Sequence, residues 1–288
     1  MKSLTLSAPA KLNLSLRVLG KRDDGFHAID TLMVKLSGLA DTLTITESGA
    51  FSFECHAPGV PTDDTNLVIK AARAFEAALG KPLSVKISLE KNIPHGAGLA
   101  GGSSDAATTL LGLNDWHGCP LDLEKLLEIA ATLGSDIPFF LHPGTARCTG
   151  RGEIIQQVDS PPPFPVILLK PSFGVSTPEA YKRWKDSAEL PKIRYDAQQI
   201  DGMTLINDLE RPVFQKHRFL AELKQWLLSR REVRAALMSG SGSTVFAILH
   251  AEADADVVIQ AALDRMDPTL WSWKSQNLGS SRALYAHQ

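Results

Sequence analysis

Apolar and polar residues alternate near the start of the chain. Leu12, Leu14, Leu16 and Val18 alternate with Lys11, Asn13, Ser15 and Arg17, the period of two expected of a half-buried strand. Lys11 and Asn13 therefore share its polar face. Leu43 and Ile45 mark another short strand, Phe51 and Phe53 a third, and Val85, Ile87 and Leu89 a fourth. Before that fourth strand the period lengthens. Asn66 to Leu79 is alanine-rich, with Leu67, Ala71, Ala74 and Ala78 near helical spacing and Gly80 as a stop. A small-residue helix is predicted over about 103–113, and Asp122 reads as the N-cap of a helix over Leu123–Leu133.

The second half repeats the mixture. Val166 to Leu169 reads as a buried strand, followed by helical stretches around 178–185 and 214–228. Strands over 234–238 and 244–249 flank Ser239-Gly240-Ser241-Gly242-Ser243, and a helix over 253–265 precedes a last strand near 270–273. Strands and helices mixed in both halves predict an α+β protein. Between the halves, Pro161, Pro162, Pro163 and Pro165 crowd the chain. Such a run cannot continue a helix or a central strand and suits a stiff extended connection. The expected division is an N-terminal domain over 1–160 and a C-terminal domain over 166–288.

Composition narrows the function classes. The chain has 288 residues, 44% of them apolar and 22% charged, with a formal net charge of −2. A near-neutral total with no basic stripe disfavours nucleic acid as a partner. No apolar run is long enough for a membrane span or a signal-peptide core, so a cytoplasmic protein is expected. Cys55, Cys119 and Cys148 form no C-x-x-C pair, and the eight His are scattered. The cysteines read as buried small hydrophobes in a reducing compartment, and no protein-built metal site is expected. A metal, if used, arrives with its ligand.

The densest chemical signal is Pro94-His95-Gly96-Ala97-Gly98-Leu99-Ala100-Gly101-Gly102-Ser103-Ser104. Glycine permits positive φ and lets backbone N–H groups converge on a ligand oxygen. The helix that follows points its unpaired N–H groups and positive dipole end back at the loop. Together they predict a phosphate site. A flexible strand–helix connection is the plain alternative. Gly96-Ala97-Gly98-Leu99-Ala100-Gly101 matches the dinucleotide fingerprint G-x-G-x-x-G, but no second strand ending in an acidic residue follows. A Walker loop needs a lysine after its glycines, and the protein-kinase H-R-D and D-F-G sets are missing. A nucleotide phosphate loop of another kind is left.

This loop resembles that of the GHMP kinases, the family of galactokinase, homoserine kinase and the mevalonate and phosphomevalonate kinases. Pro9-Ala10-Lys11 is similar to the family's first motif and Met238 to Ser243 to its third. The three motifs occur in the family's order and span most of the chain. Lys21 to His27, Leu133 to Phe140 and Asn207 to Glu210 are similar to the branch of the family whose substrate carries a cytidyl group. Two departures are visible: Ala100 where many relatives carry Gly, and Phe26 where Tyr is usual.

The resemblance implies a ribosomal-protein-like N-terminal domain and a ferredoxin-like C-terminal domain with the active site between them. It implies ATP as phosphate donor, with Mg²⁺ held mainly by the nucleotide, and a small cytidyl substrate. Asp136 would be the catalytic carboxylate and Lys11 its partner, although Asp136 reads equally well as the N-cap of Ile137–Leu141. His27 would read the cytosine edge, Phe26 would stack on the base, Tyr181 would oppose it, and Asn13 would contact a substrate hydroxyl. The loop from Pro94 to Ser104 would wrap the triphosphate. Ser104 would offer its hydroxyl to a phosphate or Mg²⁺, and Asp105 is the nearby carboxylate. Asn66 would contact adenine, or cap its helix without further function. Ser239, Gly240, Ser241 and Gly242 would support the loop, or form a simple hairpin. Two other readings stay open: a kinase of the mevalonate or homoserine type, and a non-catalytic nucleotide-binding protein of this fold.

Overall fold

The computed structural model describes residues 2–277. β1 (Ser3–Lys21) and β2 (His27–Glu47) pair antiparallel over nearly their whole length, from Ser3↔Thr46 to Lys21↔His27. The first half continues with β3 (Ser52–Cys55), α1 (Leu67–Leu79), β4 (Val85–Glu90), α2 (Gly101–Trp116), α3 (Leu123–Leu133), α4 (Ile137–Leu141), β5 (Thr145–Thr149) and β6 (Ile154–Val158). The second half holds β7 (Pro165–Lys170), α5 (Thr177–Arg183), β8 (Gln198–Ile200), β9 (Met203–Asn207), α6 (Glu210–Lys216), α7 (Arg218–Leu228), β10 (Val233–Met238), β11 (Val245–Leu249), α8 (Ala255–Arg265) and β12 (Trp271–Gln276). Residues 278–288 of the expected second domain lie outside the described residues.

One sheet runs β3-β4-β2-β1-β9-β8, with β5 paired to β2 and β6 to β5. The other runs β10-β11-β7-β12, all antiparallel. Its first strand in sequence lies between its third and fourth, which is the ferredoxin-like order. β8 and β9 follow the proline run yet join the first sheet, through Ser15↔Ile206 and Leu16↔Asn207.

Local chemistry explains most boundaries. Asn66 Oδ1 accepts the Val68 N–H at 2.8 Å and Gly80 closes α1 in the left-handed region. The buried face of α1 is Val68, Ile69, Ala71, Ala72 and Phe75, so it is rotated from the predicted one. Phe75 has more surface to bury than the alanines, and Ala78 is exposed. Asp122 Oδ1 accepts the Lys125 N–H at 2.8 Å and starts α3. The single helix predicted over 214–228 is two helices, broken at His217, whose ring stacks on Phe173 at 5.0 Å. β2 is far longer than its predicted core, because Met33 to Leu36 is buried on both faces and shows no alternation.

Three clusters of buried side chains form the interior. One of them joins the halves: Leu12 and Leu14 of β1 pack with Val166, Leu168, Leu237 and Phe246. The opposite face of β1, predicted as merely polar, is also covered. Lys11 and Asn13 are each only 3% exposed. Cys55 and Cys148 are buried as expected, whereas Cys119 is exposed in the turn after α2. Among the described residues, no helix is long and apolar enough to cross a membrane.

Candidate active site

The glycine loop leaves β4 and enters α2 at Gly101, two residues before the predicted start. Ser103 and Ser104 therefore lie inside the first turn and cap nothing. The N-cap is Ala100, with φ 55° and ψ 33° and no side-chain bond to the helix. Without a side-chain oxygen at the cap, the first-turn N–H groups stay available to an anion. A left-handed alanine costs about 1 kcal/mol relative to an unstrained backbone. Ala100 is thus a departure at a position that does use positive φ.

Tertiary hydrogen bonds hold the loop. Leu99 O accepts the Lys11 N–H at 3.1 Å, and Ala97 O accepts the Thr244 N–H at 3.2 Å. Gly98 O accepts from Ser239 Oγ at 3.0 Å and from Lys11 Nζ at 3.2 Å. Gly98 has φ +74°, and a Cβ there would collide with the carbonyls of Ser239 and Gly242. The turn at Ser239, Gly240, Ser241 and Gly242 is a hairpin that packs against Gly98. It joins the antiparallel pair β10 and β11, and it presses on the glycine loop.

The residues from Asn207 to Glu210 support that turn from behind. Asn207 Nδ2 donates to Met238 O and Gly240 O, both at 2.7 Å. Glu210 Oε1 accepts the Met238 N–H at 2.9 Å, and Glu210 pairs with buried Lys224 at 2.6 Å.

Lys11 is the hub of the site. Its Nζ donates to Asn13 Oδ1 and lies 3.5 Å from Asp136 Oδ2. Asn13 in turn donates to Thr31 Oγ1 at 2.8 Å, which donates to Ser15 O at 2.6 Å. Asp136 begins α4 but its carboxylate makes no capping bond. It faces Lys11 and the cleft instead. Nearby Cys148 is inert: burial, then the charge of Asp136, pushes its thiol up to about 12.

One cleft of about 1310 Å³ collects these groups. It is lined by Lys11, Asn13, Asp136, the loop from Pro94 through Gly98 and from Ala100 through Ser103, and Gly240 to Gly242. Its other end holds Phe26, His27 and Tyr181. Leu99, Ser104 and Ser239 do not line it; they are buried behind it. Asn66 does line it, with its amide already spent on Val68 N–H and on Pro61 O at 2.6 Å.

At the aromatic end, the His27 ring lies 5.3 Å from Tyr181 and 6.3 Å from Trp184. Burial, then Lys21, lowers the His27 pKa, so its imidazole is neutral at neutral pH. Burial, then the charge of Asp136, raises Tyr181 and keeps it a phenol. Phe26 is 50% exposed and does not stack on Tyr181; the Arg151 guanidinium lies 4.7 Å over its ring. Trp184 and Arg151 carry no sequence motif and were not predicted.

A second unpredicted group flanks the loop. Buried Lys91 pairs with Asp41 and, at 2.7 Å, with Asp105. Burial opposes the ammonium, but the two carboxylates outweigh it and raise Lys91. Asp41 Oδ1 also accepts the N–H groups of Asn92 and Ile93, at 2.6 and 2.8 Å. The triad therefore ties the strand β2 to both ends of the glycine loop. Ser104 Oγ and Asp105 Oδ1 are buried without a hydrogen-bond partner. Ser104 Oγ does not reach the cleft and Asp105 is held by Lys91, so neither is placed to take Mg²⁺ from it. No group of three or more His, Cys, Asp or Glu placed to hold a metal occurs among the described residues.

Residues 66–144 match the GHMP kinases N terminal domain and residues 186–267 the GHMP kinases C terminal domain. Fold and site define a kinase of the GHMP class. The chain is 42% identical to the 4-diphosphocytidyl-2-C-methyl-D-erythritol kinase of Methylacidiphilum infernorum, covering 92% of this chain and 93% of that one. It is 38% identical to the enzyme of the same name from Geobacter metallireducens, over 93% and 96%. A crystal structure of 4-(cytidine 5'-diphospho)-2C-methyl-D-erythritol kinase superposes with a TM-score of 0.77 at 33% identity, covering 96% of this chain and all of that one. The chain belongs to the 4-diphosphocytidyl-2-C-methyl-D-erythritol kinase family. A homoserine kinase from Cytophaga hutchinsonii shares the fold, with a TM-score of 0.69 at 18% identity.

Proposed function

We propose that this cleft transfers the γ-phosphate of ATP to a hydroxyl of 4-diphosphocytidyl-2-C-methyl-D-erythritol, giving its 2-phosphate. The reaction belongs to the methylerythritol phosphate route to isoprenoids. The observation that carries the reading is one continuous cleft with the Lys11–Asp136 pair between a phosphate loop and an aromatic pocket. In this reading the substrate oxygen attacks the γ-phosphorus, its proton passes to the Asp136 carboxylate, and ADP leaves. Lys11 favours the ionised carboxylate and offsets charge on the transferring phosphoryl group. The loop N–H groups and the start of α2 hold the triphosphate.

His27, neutral, offers the cytosine edge both a donor and an acceptor. Tyr181 and Phe26 supply apolar faces for the base, and Asn13 orients the hydroxyl beside Lys11. Asn66 contributes to the adenine side as a wall already fixed by its capping bonds. Mg²⁺ would be held by the phosphate oxygens of ATP and by water, since Ser104 lies behind the cleft and Asp105 is paired with Lys91. When bound, the ion would withdraw charge from the phosphate oxygens. The division at 1–160 and 166–288 belongs to the same reading, with β8 and β9 as the strands that cross it.

An ADP-release assay across a panel of alcohols tests the proposal. Turnover is expected with the cytidyl substrate and not with mevalonate, homoserine or galactose. Turnover with mevalonate or a sugar alone would overturn it.

A further inference from the structure

Lys35 stands opposite Lys11 in the β1–β2 register, so the two side chains leave the same face of the sheet. They reach opposite ends of one short helix. Lys11 meets Asp136 at the start of α4. Lys35 Nζ donates to Phe140 O at 3.2 Å and to His142 O at 2.5 Å, at its end. Lys35 is 1% exposed, and none of its partners is a carboxylate. The rings of Phe139 and Phe140 lie 5.6 and 5.8 Å from the ammonium.

A buried cation without a counter-ion is a costly arrangement, and a Met would fill similar space. What the ammonium supplies is direction. The last carbonyls of a helix have no partners within it and favour a cation. With only five residues, all buried, α4 has too few internal bonds to hold its own geometry. Its position depends on what grips its ends.

We propose that Lys35 is a positioning residue for Asp136. By gripping the C-terminal carbonyls of α4, it sets the rotation and depth of the helix that carries the carboxylate, and so the 3.5 Å separation from Lys11. The proposal rests on the reading of Asp136 as the carboxylate that receives the substrate proton. Burial pushes the Lys35 ammonium down to about 8, in keeping with its isolation from carboxylates.

Two variants of the full chain test this. Lys35→Met removes every donor, and Lys35→Gln keeps a neutral, shorter one. Both are compared with wild type by steady-state kinetics and by amide hydrogen exchange. A displaced carboxylate impairs the chemical step and not binding. We therefore expect kcat to fall about thirtyfold in Lys35→Met and about fivefold in Lys35→Gln. KM for ATP and for the cytidyl substrate should stay within about twofold of wild type, and exchange across 137–142 should quicken while that of α2 does not. A kcat within about twofold of wild type in either folded variant, or a parallel rise in both KM values, would overturn the proposal. If Lys35→Met does not fold, Lys35→Gln decides alone. Asp136→Asn separates the two readings. Its retention of activity would sink the role of Asp136, whereas unchanged exchange across 137–142 in the Lys35 variants sinks the grip itself.

Discussion

Asp136 starts a helix, yet its carboxylate makes no bond to that helix and faces Lys11 at 3.5 Å. A cap would have used the oxygen on first-turn N–H groups; here it is left for the cleft. Asp136→Asn and Lys11→Ala are expected to lower kcat about a thousandfold while the protein still folds, as kinetics beside a thermal melt would show. Near-wild-type turnover in either would remove that residue from the chemistry. His27 carries a pH signature. Its pKa lies below the ordinary 6.5 because burial and Lys21 disfavour the imidazolium. Its acceptor is therefore present at neutral pH and lost only on acidification below that value. KM for the cytidyl substrate should stay flat from about pH 8 to 6.5 and rise at lower pH, with no matching rise for ATP. His27→Ala should raise the cytidyl KM about tenfold or more across the whole range. Equal effects on both substrates would count against the role. Ala100→Gly relieves the left-handed strain and should stabilise by about 0.5–1 kcal/mol in denaturant unfolding.

Among the elements, the glycine loop is where local and tertiary demands meet. Gly98 needs its φ of +74°, and it also needs the missing Cβ, because the 239–242 turn fills that space. Gly98→Ala should cost about 2–4 kcal/mol and weaken ATP, read by melting with and without nucleotide. Asn207→Ala leaves two carbonyls of the supporting turn without their shared donor and should cost about 2–3 kcal/mol. Elements with strong caps were legible in the sequence: Asn66 and Gly80 bound α1, and Asp122 starts α3. The hairpin of β8 and β9 was overlooked although its signal was present. Asp201-Gly202, with φ of 49° and 80°, is a tight-turn pair between two short runs. β6 left no such trace, because Ile154-Ile155-Gln156-Gln157-Val158 does not alternate.

For the molecule as a whole, the proline run separates the halves along the chain but not in space. Leu12 and Leu14 from one half share a core with Leu168, Leu237 and Phe246 from the other, and β9 pairs with β1. The halves should therefore unfold together. Near-ultraviolet and far-ultraviolet ellipticity are expected to give one coincident transition. Leu12→Ala, which opens a cavity in that shared core, should cost about 2–5 kcal/mol and shift both signals equally. Two resolved transitions would mean that the shared core does not couple them. The same packing brings the two Gly-rich segments, some 140 residues apart, to a 3.0 Å hydrogen bond between Ser239 and Gly98.

By itself, the sequence determined what is local. Alternation set the strand cores and small polar side chains set the helix ends. The glycine run followed by a helix predicted the phosphate loop, and three ordered motifs pointed to the family. Each depends on residues within a few positions of one another. Only the tertiary structure decided that Lys11 is buried against Asp136, that Ser104 lies behind the cleft, and that Arg151 covers Phe26. It also decided that Asp41, Lys91 and Asp105 form one group. These contacts join residues 14 or more positions apart. Their formation depends on which faces of the sheets and helices the fold brings together, and no local period in the chain encodes that.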